Sequence, residues 1–229
     1  MYVPRHFSPT DEDVRQLLNR HGAADLVTVT EDGLQATLLP FVHDPEAGAH
    51  GSLIGHMARN NDQWKLPTVG EAMVIVRGPD AYVTPTWYPS KAEHHRQVPT
   101  WNYITAHVHG NLLVHDDPAW VEDQVRRLTD KHEAAAVPWS VDDAPAPYIQ
   151  GQLRAIVGVE LSITRIEAKF KLSQNRSDTD ISGVVHGLRS RGQGQDGAVA
   201  DAVHAHRPRR PGDTGEGGLP VQDGSGRKP

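Results

Sequence analysis

The sequence predicts a mainly β fold, a β-barrel with peripheral helices, and three observations carry that prediction. Short segments rich in Val, Ile, Thr and aromatic residues recur at close spacing between Asp25 and Ile166. Helical periodicity is confined to the beginning, middle and end of the chain, so helices do not alternate with strands as in a βαβ sheet. Turn dipeptides such as Asp32-Gly33 and Gly78-Pro79 punctuate the strand segments.

The first helix is bounded by a Ser8 or Thr10 cap and by Gly22, with Asp11, Glu12 and Asp13 where the helix dipole favours acids. Val14, Leu17 and Leu18 form its apolar stripe. Asp25 to Thr30 reads as a strand, and Asp32-Gly33 turns it into a partner at Leu34 to Phe41. His43 to Gly51 is a loop, and Ser52 to Asn61 a short strand entering a helical turn. Glu71 to Val76 and Ala81 to Thr84 are strands separated by Gly78-Pro79; Trp87 to Val98 is a polar loop.

Trp101 to Val108 resumes β structure and Leu112 to Val114 extends it beyond Gly110. Asp117 caps a helix with Pro118 at its first position, running to about His132 with Val121, Val125 and Leu128 inward. Pro138 to Pro147 is irregular, Ile149 to Ala155 a short helix, Ile156 to Ile166 a long strand and Asp178 to Leu188 a closing helix. The reading places one domain at 1–190. From Arg191 to the end Gly, Gln, Pro and Arg dominate without periodicity, and a disordered tail at 191–229 is predicted.

The 229 residues carry 37% apolar side chains, unevenly spread, and a net charge of −6. Acidity lowers the expectation of a nucleic-acid coat, which needs a basic excess. The absence of cysteine removes disulfides, Cys-zinc sites and thiol nucleophiles. The N-terminal segment has no signal-peptide apolar stretch and no run approaches the ~20 apolar residues of a membrane span, so a cytoplasmic, non-membrane protein is expected. His94-His95 and His107/His109 lack a third ligand at helical spacing, and no metal site is predicted. Dinucleotide, P-loop, serine-hydrolase-elbow and zincin motifs are absent, as is a helix-turn-helix pattern.

Three segments carry candidate chemistry. In Val98 to Tyr103 two aromatics flank Asn102 after Pro99-Thr100, which suits either barrel core or a platform for a flat ring. Gly55 to Asn61 offers backbone N–H groups, His56, Asn60 and the Arg59 fork for a phosphate, or else a solvated surface turn. Lys169 to Arg176 concentrates cations and amides, either for an anion or as an exposed connection.

These segments, in this order, resemble the PaiB family of FMN-binding split-barrel proteins. The likeness rests on Met1 to Phe7, Ala36 to Phe41, Gly55 to Asn61, Gly78 to Tyr88, Val98 to Tyr103, His132-Glu133 and Lys171 to Arg176. The resemblance implies a pyridoxamine-phosphate-oxidase-like split barrel that dimerises with FMN at the subunit interface. It implies cofactor contacts from Thr37, His56, Arg59, Asn60, Thr100, Trp101, Asn102, Lys171 and Gln174, with Arg59 and Lys171 toward the phosphate. Two departures stand out: Leu38 occupies a position where the family has His, and the residues after about Ala202 match nothing in it. The family is described as negative transcriptional regulators, with DNA or a regulatory protein as partner. The alternatives are an FMN-dependent oxidoreductase acting on a small molecule, or a dimer that has lost its ligand. No catalytic residue is identified.

Overall fold

The computed structural model describes residues 1–133 and 136–208. Helix α1 (Asp11–Arg20) starts on a capping box in which the Thr10 hydroxyl accepts from Asp13 N and the Asp13 carboxylate accepts from Thr10 N. It ends at His21 in extended backbone. Strands β1 (Ala23–Thr30) and β2 (Gly33–Asp44) form the expected hairpin, with Gly33 at φ +107° in a conformation that favours glycine. They are followed by β3 (Ser52–Ala58), β4 (Ala72–Val83) and the short α2 (Ser90–His94).

Strand β5 (Thr100–His115) leads into α3 (Pro118–His132), capped by Asp117 as its sequence dictates. Helix α4 (Ala146–Leu153), β6 (Ile156–Lys171), α5 (Asp178–Arg191) and α6 (Asp196–Ala205) complete the order. The six strands close an antiparallel barrel in the order β1-β2-β3-β6-β5-β4, and β4 returns to β1.

Several expected breaks are bulges rather than ends. Gly78-Pro79 lies within β4, where register shifts between Arg77 and Asp80, and Gly110 lies at a shift within β5. A bulge lets a strand bend without leaving its ladder, so the paired segments fuse into long strands. Leu26, Phe41, Leu53, Val74, Val76, Val108, Val159 and Leu161 are fully buried inside the barrel, and Leu18 of α1 closes one end.

A second core lies outside the barrel. The ends of β4, β5 and β6 project beyond it as a three-stranded ribbon, whose Ala81, Val83, Ile104, Phe170 and Leu172 are covered by α5 and α6. Residues 196–205, within the segment expected to be disordered, are therefore helical. Val199, Ala200 and Val203 are almost wholly buried against α5 and the ribbon, and that tertiary burial offsets the ordering entropy. Residues 209–229 of the predicted tail lie outside the described residues. Close helix packing is possible because Gly183 and Gly187 leave room for Trp87, whose atoms a Cβ at either glycine would meet at 2.0–2.2 Å. Among the described residues no helix is long and apolar enough to cross a membrane.

Candidate functional site

The nine predicted residues fall into two groups at opposite ends of the β5–β6 pair. His56, Arg59 and Asn60 lie where β3 meets the start of β6 and the end of β5, and Thr37, on β2 opposite Leu26, is joined to their loop through Asn61. Thr100, Trp101, Asn102, Lys171 and Gln174 lie on the projecting ribbon. Strand β5 is 16 residues long, so at ~3.3 Å per residue these ends are roughly 50 Å apart along it.

In the first group, the Arg59 guanidinium is engaged inside the chain. It donates to both Asp116 carboxylate oxygens at 3.0 and 2.5 Å and to the carbonyls of Arg154 (2.9 Å) and Ile156 (3.0 Å). This clamp ties the end of β3 to its neighbours, and the Asp116 carboxylate beside it holds the guanidinium above its ordinary pKa. Thr37 donates to Gln63 Oε1 (2.6 Å) and accepts from Asn61 Nδ2 (2.9 Å). Gln63, 2% exposed, in turn donates to Leu26 O and Thr28 Oγ1. Asn61 and Gln63 thus fix the loop carrying Arg59 and Asn60; the sequence places Asn61 in the candidate segment without a role and gives no sign of Gln63, because their partners are on β1 and β2. His56 bonds through Nδ1 to Gln124 Oε1 on α3 (2.8 Å), and Asn60 is exposed.

In the second group, alternation decides which side chains face outward. Asn102 points inward, 1% exposed, and donates to Ser173 Oγ at 3.0 Å. Gln174 closes its own turn: its Oε1 accepts from Leu172 N (2.7 Å) and its Nε2 donates to Phe170 O (2.6 Å), around a Ser173 at φ +66°. Trp101 is 49% exposed and meets the exposed Tyr82 edge-to-face at 6.1 Å. Lys171 Nζ donates to Thr100 Oγ1 and to Trp101 O (2.7 Å), both neutral acceptors.

No carboxylate pairs with Lys171, Lys169 or Arg176 among the described residues. Burial, then the nearby Lys169 and Arg176 charges, push the Lys171 ammonium below its ordinary pKa. An anion placed there would relieve that repulsion. The donor set fits FMN: a half-buried cation without a carboxylate partner for a phosphate, beside an open indole for a flat ring.

The outer barrel wall is apolar where Val29 pairs with Leu34 and Val27 with both Ala36 and Met73. Leu34 is 75% exposed and Leu38 64%; Val29 and Val69 are exposed as well. Leu38, at the position where the resemblance anticipates His, therefore adds to this wall. Among the described residues no three His, Asp or Glu side chains converge as a metal site.

Residues 1–165 match the family described as "Putative FMN-binding domain". The chain is 29% identical over 194 residues to the protease synthase and sporulation protein PAI 2 of Bacillus subtilis, covering 83% of this chain and 90% of that one. It is 30% identical over 227 residues to an uncharacterized protein of Emericella nidulans, with the same coverage. Among solved structures, the flavocytochrome Anf3 of Azotobacter vinelandii superposes with a TM-score of 0.52 at 14% identity, over 79% of this chain and 78% of that one. A conserved hypothetical protein of Mycobacterium tuberculosis gives 0.52 at 10% identity, over 75% and 91%. These two likenesses concern the fold alone, a split β-barrel with peripheral helices as the resemblance implies. With FMN as its cofactor, the chain belongs to the FMN-binding family that includes the PaiB-type proteins.

Proposed function

We propose that the protein is a homodimeric, cytoplasmic, FMN-binding negative regulator of transcription, with each flavin held between the ribbon of one protomer and the strand-end cluster of the other. The observation that carries the flavin site is the unpaired Lys171 ammonium beside the half-exposed Trp101 indole. Two-copy assembly is supported by separation and by surface. The two residue groups lie too far apart in one chain to share a ligand. The apolar wall of Val29, Leu34 and Leu38 is of the kind that marks protein contacts.

In this reading Lys171 holds the phosphate, Trp101 supplies a face for the ring, and His56, Asn60 and Thr37 approach its edge from the second copy. The flavin, when bound, supplies electron or hydride transfer. Arg59 keeps the loop in place through its Asp116 clamp and presents its remaining surface to the phosphate.

Regulation draws its support from the Bacillus subtilis relative, named for protease synthesis and sporulation. The net charge of −6, and a sequence without a helix-turn-helix pattern, favour action through a protein partner over direct DNA reading. A second reading, an FMN-dependent oxidoreductase acting on a small molecule, is favoured by the open Trp101 face, which a substrate can reach.

Purified protein is expected to be yellow, with absorption near ~450 nm from the flavin; colourless protein that takes up no added FMN removes the proposal. NADPH oxidation with turnover selects the enzyme. A promoter gel shift that weakens steeply with salt selects direct DNA binding. Lys171→Ala is expected to weaken FMN binding at least about tenfold, the scale of one charge-assisted phosphate contact, in a fluorescence titration. Unchanged affinity takes Lys171 out of the site.

A further inference from the structure

We propose that Asp80 is a positioning residue that holds the Trp101 indole ready to take a planar ring, and that the α5–α6 hairpin in turn sets Asp80. This rests on the flavin reading above. The hairpin lies wholly beyond residues 1–165, the part of the chain that the family profile matches.

The connection is a continuous run of hydrogen bonds. Trp101 Nε1 donates to Asp80 Oδ1 at 2.7 Å, and Asp80 N donates to Gln195 Oε1, the N-cap residue of α6, at 2.9 Å. One rung along β4, Arg191 at the end of α5 donates to Tyr82 O at 3.0 Å. The same guanidinium is clamped by Asp196, with Nε to Oδ2 at 2.7 Å, and lies over the Trp87 ring at 4.9 Å. The hairpin thus grips β4 at rungs 80 and 82. Those are the two residues whose side chains flank Trp101: Tyr82 is its ladder partner and edge-to-face neighbour.

The local geometry explains why such help is needed. Asp80 is the first residue after the bulge, where the ladder resumes opposite Tyr103, so regular pairing supports its backbone on one side only. The hydrogen bond that Asp80 N donates to Gln195 Oε1 steadies the strand where it leaves the bulge. The opposite face of the ribbon, Ala81 and Val83, is buried under α5 and α6, which fixes the strand's rotation. An indole that is 49% exposed would otherwise be free to change rotamer, and a ring that stacks on it would bear the cost of ordering it. Held by a carboxylate, the indole presents one orientation to the ligand.

The test uses the full-length chain with Asp80→Ala, Asp80→Asn and Gln195→Ala, each also made with Trp101→Phe so that subtraction isolates the Trp101 emission. In flavin-free protein, Asp80→Ala and Gln195→Ala are expected to make that emission more accessible to acrylamide, whereas Asp80→Asn, which keeps the Oδ1 acceptor, leaves it as in wild type. With FMN added, Asp80→Ala is expected to bind about tenfold more weakly and Gln195→Ala about threefold, with Asp80→Asn restored to near wild type. Trp101 emission that is indifferent to Asp80→Ala overturns the relay, whether or not flavin binds. Emission that changes while FMN affinity stays constant overturns its service to the ring. Wild-type protein that takes up no FMN sinks the proposed function and the ring-holding role together, while the quenching result still decides the relay.

Discussion

Lowering the pH from 7 to 4 is expected to remove about 3 kcal/mol of folding stability through His21 alone. His21 is 5% exposed at the end of α1, and its Nδ1 bonds to Leu18 O at 2.5 Å. Burial foremost, then repulsion from Lys131, lowers the imidazole from 6.5 to about 4, with His43 and His132 adding to that repulsion. The unfolded chain takes up this proton as pH falls below 6.5, whereas the folded chain resists until about 4. Stability is therefore fully present above 6.5 and is lost progressively between 6.5 and 4.

Burial pushes His43, His107 and His109 in the same direction. The Asp13 and Asp44 carboxyls, held low by Thr10 and Arg127 respectively, lose their contribution only below the ordinary carboxylate range. Lys131, lowered by burial to about 8, gives a separate alkaline window in which stability rises from pH 8 to 10.5. Urea midpoints between pH 7.5 and 4.5, compared for wild type and His21→Gln, read the effect. An acid slope that is the same in both proteins excludes His21 as its source.

Gly110→Ala is expected to destabilise the fold by about 3 kcal/mol or more, at the upper end of overpacking effects. A Cβ at Gly110 would lie 2.1 Å from Ser162 O and 2.8 Å from its carbonyl carbon. Both are backbone atoms of β6, and β5 is hydrogen-bonded to β4 on its other side. In a closed barrel neither strand can retreat without breaking a ladder. Gly22→Ala, where nothing lies within 4 Å of the added Cβ, serves as the control, expected within about 0.5 kcal/mol of wild type. Equal urea midpoints for the two variants would show that the barrel yields at Gly110.

Elements with local signals are legible without the fold. Asp117-Pro118 specifies the start of α3, and Asp32-Gly33 specifies the first hairpin, because cap and turn chemistry act over three or four residues. The two segments on either side of Gly78-Pro79 read as separate strands, since a bulge and a turn use the same residues and only the partner strand distinguishes them. Helix α6 escapes notice for a related reason: its buried apolar residues are only Val199, Ala200 and Val203, in a weakly apolar stretch, and the surface they meet belongs to α5 and β4. Gly183 and Gly187 look like ordinary helix breakers until Trp87 is seen between them.

The sequence by itself determined the barrel class, the order of most elements and the segments that carry chemistry, because periodicity, caps and turns are short-range properties of the chain. Tertiary structure alone decided what the individual side chains do. Strand alternation buries Asn102 and exposes Trp101, one residue apart. Arg59 is taken up by Asp116, 57 residues away, and Lys171 is left with neutral acceptors only. Whether a cation is free for a ligand depends on which carboxylates the fold brings beside it. That is a long-range property, and no local pattern encodes it.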